Sequence, residues 1–154
     1  MRLLPPRRSL LLAVMTGLLA ACGGAAHQRV PAPPPGAPVA ASTCRVYLAR
    51  QDVVAGSWRN VRVFDDDTEI GVLGEHEYLC WDRPAGRGVG SAVFEGIDFR
   101  TREVENVFDL PREGGTTAYY GLTVNREDRQ PRIERLSEAD GRALIAQRRP
   151  AKRR

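Results

Sequence analysis

"VRVFDDDTEIGVLGEHEYLCWD", residues 61–82, decides how this chain folds. Its apolar residues recur at every second position, the period with which side chains on a strand alternate between two faces. "NVRVF" (60–64) and "EIGVL" (69–73) flank Asp65, Asp66, Asp67 and Thr68, which predicts two strands joined by a polar turn. "HEYLCWD" (76–82) places His76, Tyr78 and Cys80 on one face and Leu79 and Trp81 on the other.

Working outward, the same alternation continues. In "TCRVYLAR" (43–50), Cys44, Val46 and Leu48 share a face. "GVGSAVFEG" follows a Pro84-Ala85-Gly86 break, and "REVENVFDL" alternates Val104, Asn106, Phe108 and Leu110. "TTAYYGLTV" alternates Ala118, Tyr120, Leu122 and Val124, and "PRIERL" supplies a last short strand. Only the end reads as helix: Ser137-Glu138-Ala139-Asp140 has the layout of a capping box, and the helix runs to about residue 147 with Gly141 weakening it. Seven or eight short strands separated by turn signals predict an antiparallel β-sandwich or small barrel, mainly β, with one short C-terminal helix.

Before residue 42 the composition changes twice. Arg2, Arg7 and Arg8 precede "SLLLAVMTGLLAA" (9–21), an apolar run of 13 residues. About 20 residues are needed to cross the roughly 30 Å hydrocarbon core, so the run is too short for a transmembrane helix and fits a secretory leader, residues 1–21. Leu19-Ala20-Ala21-Cys22 resembles the bacterial lipoprotein signal, in which leader, small residues and an obligatory Cys follow one another. That resemblance implies a diacylglycerol thioether on Cys22, palmitate-type acyl chains and a membrane partner reached through them; two or three acyl chains anchor stably where one does so only marginally. Gly23 in place of Asp resembles lipoproteins sorted to the periplasmic face of the outer membrane. Residues 23–41 contain five prolines and almost no large apolar side chain, so 22–41 reads as a lipidated Cys with an extended, disordered linker. His27 falls in it.

Removing these segments alters the charge reading. The chain carries 23 basic and 19 acidic residues, but the span 42–147 holds 14 basic residues against all 19 acidic ones. The apparent basicity belongs to the leader and to the tail "RRPAKRR" (148–154), expected to be disordered and either solvated or resting on anionic headgroups. The charge balance does not support a nucleic-acid-binding core, and no nucleic-acid partner is expected.

The unit "VRVFDDDTEIGVLGEHEYLCWDRPAGRG" is similar to a pattern of hairpin, "IG-x-L", short loop, "EY" and "P-x-G-x" turn. That order is found in the bacterial lipoproteins grouped as domain of unknown function 2846 and, more loosely, in PEGA-type β-sandwich modules. "TTAYYGLTV" resembles their late Thr-Tyr-Tyr strand, and "RLSEADGRALI" their closing strand and helix. The likeness covers most of 43–147. This chain departs from it by having Asp66-Asp67-Thr68 where an Asp-Gly turn is common, and by a longer, Gly-rich "GRGVGSAVFEGIDF". The resemblance implies a fold; the family has no assigned activity, so it implies no catalytic residue.

With Cys22 lipidated, Cys44 and Cys80 remain in an oxidising compartment, either bridged or as two separate buried thiols. A bridge would close a loop of about 36 residues, worth roughly 3–4 kcal/mol at most. Asp65, Asp66, Asp67 and Glu69 lack the spaced pattern of a calcium loop and read as a solvated hairpin tip. His76 has no zinc-binding companion in sequence, no G-x-S-x-G element is present, and "AGRGVG" lacks the residues of a phosphate loop. No cofactor or catalytic residue is expected. Trp81 and Tyr120 read as core, and Trp58 and Tyr119 as a stacking surface for a glycan or peptide. The reading is therefore a lipid-anchored envelope protein with a non-catalytic binding or structural role and an envelope protein as partner. Its alternative is a periplasmic small-ligand carrier or enzyme with a site of scattered residues. Strand addition at an open sheet edge is a third mode.

Overall fold

The computed structural model describes residues 32–51, 60–94, 105–124 and 131–153. Within them the chain forms β1 (Thr43–Arg50), β2 (Val61–Asp65), β3 (Thr68–Leu73), β4 (Glu77–Pro84), β5 (Val89–Phe94), β6 (Glu105–Asp109), β7 (Thr117–Val124) and β8 (Pro131–Leu136). The helix α1 (Glu138–Ala146) follows, then two short strands, β9 (Arg149–Pro150) and β10 (Lys152–Arg153). The eight alternating stretches are the eight main strands. They form two five-stranded sheets, ordered β8-β7-β1-β4-β9 and β10-β3-β2-β5-β6, here called sheet A and sheet B. All pairings are antiparallel except β1 with β7 and β4 with β9.

The two sheets close over one core. Val46, Leu48, Leu79, Trp81, Ala118, Tyr120 and Leu122 from sheet A meet Val61, Val63, Leu73, Ala92 and Phe108 from sheet B. Each large apolar side chain removed from water contributes about 1.5–3 kcal/mol, so this layer dominates stability. Gly90 is required by it: the Phe108 ring lies over the Gly90 backbone, and a Cβ there would sit 2.3 Å from Cζ.

Sheet A has a second apolar layer on its outer face. Tyr47, Ala49, Tyr78, Cys80 and Tyr119 are buried together with Ile145 of α1, and Ala32, Leu136 and Leu144 pack at the margin. Strand β1 is consequently buried on both faces from Cys44 to Arg50, the pattern of a strand covered on both sides. Ser137 caps α1 as expected, its Oγ accepting from the Asp140 amide at 3.1 Å. Gly141, read as a weak point of the helix, has a positive role. It lets α1 approach Tyr119 so closely that a Cβ would lie 2.3 Å from the Tyr119 Cβ and Cγ.

Three expectations are corrected. The C-terminal tail is not frayed between 149 and 153: the Arg149 amide donates to His76 O at 3.0 Å, the Ala151 amide to Tyr78 O at 2.8 Å, and Lys152–Arg153 pairs with Val72 and Gly71. The chain thus crosses from sheet A to sheet B at Ala151 and caps both edges, using backbone groups that a charge count cannot register. The second half of the linker, residues 32–41, lies on the domain instead of extending freely from it, as described below. The acidic hairpin is not uniformly a solvated tip. Asp66 adopts the left-handed conformation (φ 49°) that glycine would otherwise supply. Asp65 points inward and is mostly buried.

Candidate functional site

Cys22 and Trp58 lie outside the described residues. Cys44 and Cys80 are both buried, and neither forms a disulfide. Register explains why they do not meet. Val46 pairs with Trp81 and Cys44 with Arg83, so Cys44 shares the inner face of sheet A with Leu79 and Trp81. Cys80 pairs with Tyr47 and belongs to the outer face. The sheet itself separates the two sulfurs, and the Cys44 thiol instead donates to Glu113 O at 3.0 Å. Tyr119, expected on a binding surface, is only 3% exposed beneath α1. Trp81 and Tyr120 are core residues, as expected.

Polar side chains within the fold gather in two knots. In the first, the Asp65 carboxylate accepts from Trp81 Nε1 at 2.8 Å and from Arg83 Nε at 3.1 Å. Arg83 is 6% exposed, and it also donates to the carbonyls of Gly86, Arg87 and Pro111. A buried guanidinium with all these acceptors fastens the 84–88 and 110–112 turns to the β2–β3 hairpin; its chemistry is structural. The second knot opens onto the outer face of sheet A. Arg45 forms a bidentate pair with Asp82, Nε to Oδ1 at 2.7 Å and a terminal nitrogen to Oδ2 at 2.9 Å. This hydrogen bond raises the Arg45 pKa against the desolvation that would lower it.

The outer face is aromatic. Tyr47 stacks on Tyr119 with ring centroids 5.1 Å apart and planes 9° from parallel, and it lies 6.2 Å from Tyr78. Burial, followed by the nearby Cys80 thiol, pushes the Tyr47 hydroxyl well above the ordinary tyrosine value; burial raises Tyr78 in the same way. Both remain neutral hydrogen-bond donors throughout the physiological range. The Tyr47 hydroxyl donates to Pro33 O at 2.7 Å, and the free Arg45 nitrogen donates to Ala37 O at 3.2 Å. An aromatic floor with two fixed donors thus holds the backbone of residues 32–38.

Of these residues only Tyr119 was singled out from sequence as a binding residue, although a signal for Tyr47 was available. On β1, Tyr47 and Ala49 are apolar at positions that alternate with the core residues Val46 and Leu48. A strand apolar on both faces demands a second covering layer.

The outer face of sheet B is built differently. The pairings place Arg62, Phe64, Val72, Val89, Ser91, Val93 and Val107 on it. Val89 and Val107 are 44% and 60% exposed. The Arg62 guanidinium lies over the Phe64 ring at 5.7 Å. Among the described residues no group of three or more His, Cys, Asp or Glu side chains is arranged to hold a metal ion.

Comparison with known proteins gives no matching family model, no curated protein and no solved structure similar to this chain.

Proposed function

We propose that this chain is a lipid-anchored protein of the bacterial cell envelope, attached through acylated Cys22 to the periplasmic leaflet of the outer membrane. Its β-sandwich acts there as a non-catalytic binding or structural module. The likeness to lipoproteins of the domain of unknown function 2846 group, carried by the 61–88 unit and the closing strand and helix, supports the same reading.

The observation that carries the binding role is the contrast between interior and surface. Among the described residues, buried apolar side chains from Val46 to Leu122 pack together between the sheets, whereas Val89 and Val107 stand exposed on the outer face of sheet B. A small-ligand carrier needs a lined cavity, and a module that binds macromolecules needs apolar area at its surface. The exposed valines favour the second.

The anchoring is tested by Cys22→Ser in cells, followed by membrane fractionation. The variant is expected to leave the membrane fraction or to accumulate unprocessed, and mature protein still firmly bound to the outer membrane would contradict the proposal.

A further inference from the structure

Residues 32–38, Ala-Pro-Pro-Pro-Gly-Ala-Pro, lie across the outer face of sheet A as a peptide ligand lies on a receptor. The Ala37 amide donates to Pro34 O at 3.0 Å, with Pro35 and Gly36 between them and Gly36 at φ +89°. That is the arrangement of a type II turn, which favours proline then glycine at its two central positions. Side chains of β1 take a carbonyl on either side of the turn, Tyr47 at Pro33 and Arg45 at Ala37. Asp82 holds the Arg45 fork in place beforehand. Ala32 packs on the aromatic cluster, and Gly36 passes so close to Arg142 that a Cβ would sit 2.8 Å from the guanidinium.

The turn geometry, with Gly36 at positive φ, and two backbone carbonyls are therefore read by this face. Prolines lower the entropy lost on docking, and hydroxyl donation to a prolyl carbonyl over stacked aromatic rings is the chemistry by which proline-rich segments are recognised. We propose that this face is a binding site for a proline-rich turn, that the chain's own residues 32–38 are its resident ligand, and that this ligand exchanges between a docked and a released state.

Docking sets how far the domain reaches. With the segment docked, residues 23–31 would reach at most roughly 28 Å at about 3.1 Å per residue; released, residues 23–41 would reach at most roughly 59 Å. This consequence rests on the anchor at Cys22, whereas the binding itself does not.

The test uses the full chain in detergent, with Gly36→Val to release the segment, since a β-branched residue is strongly disfavoured at positive φ. The readouts are protease cleavage within 32–41 and binding of a labelled peptide with the sequence of residues 30–40. The wild-type chain is expected to be cleaved slowly and to take up little peptide, because its own segment competes at high effective concentration. The variant is expected to be cleaved about tenfold faster and to bind the wild-type peptide, but not a peptide carrying the same Gly-to-Val change. Should Gly36→Val fail to fold, Tyr47→Phe keeps the ring stack and removes only the hydroxyl on Pro33; it is expected to speed cleavage by less and, because an added peptide loses the same hydrogen bond, not to raise peptide uptake. Unchanged cleavage in a folded variant, or a released Gly36→Val chain that ignores the peptide, would overturn the proposal. The Cys22→Ser chain is expected to bind identically, so loss of the anchor leaves this result standing.

Discussion

The two outer faces of the sandwich differ in what covers them. Sheet A lies under α1 and residues 32–38, and its central strand β1 is buried along both sides. Sheet B presents Val89 and Val107 to solvent, and β2 alternates between buried and half-buried positions. The difference follows from the side chains. Tyr47, Ala49, Tyr78 and Tyr119 on the outer face of sheet A make a broad apolar surface that must be covered. On sheet B, Arg62 and Ser91 interrupt the apolar residues. The segment leading back toward Cys22 docks on the covered face. Among the described residues, sheet A thus carries the docked segment while Val89 and Val107 stay exposed on sheet B.

The sharpest challenge to this contrast is a pair of truncations. Tyr47→Ala removes a ring stacked on Tyr119 and should cost about 3–5 kcal/mol in denaturant unfolding, while Val107→Ala on sheet B should stay within about 0.5 kcal/mol. Comparable losses at the two positions would erase the distinction. A smaller effect tests how closely the helix must approach. Gly141→Ala ordinarily favours a helix, yet here the methyl meets the Tyr119 side chain, so a net loss of about 1–3 kcal/mol is expected, measured by thermal unfolding. Net stabilisation would mean that α1 sits farther from the sheet.

Alkaline titration sharpens the comparison further. Burial raises Tyr47, Tyr78 and Tyr120 above the ordinary value of 10.0. The unfolded chain releases these protons first, so the stability they contribute is fully present below pH 10.0 and is lost as pH rises through their folded values. Absorbance of tyrosinate should therefore appear together with unfolding. Ionisation of Tyr47 and Tyr78 before any unfolding would show the outer face of sheet A to be open to solvent.

Much of this architecture was legible in the alternation. All eight main strands, the Ser137 cap and the core positions of Trp81 and Tyr120 follow from period two, capping chemistry and side-chain size. What escaped depends on partners that sequence does not name. Cys44 and Cys80 could be placed on their own strands' faces, but only the pairing of Val46 with Trp81 shows that those faces are opposite. The tail and the 32–41 segment are held largely through backbone carbonyls and amides, which polar or proline-rich composition conceals. Asp65 looked like part of an acidic tip because its acceptor role needs Trp81 and Arg83, on another strand.

The central claim, a chain held in the envelope by an acylated Cys22, is tested most directly by mass spectrometry of the mature N-terminus from the native host. The expected mature chain begins at Cys22 and carries a diacylglyceryl thioether with a further acyl group on its amine. A mature chain with unmodified Cys22, whether retained within an intact leader or removed by cleavage elsewhere, would contradict it.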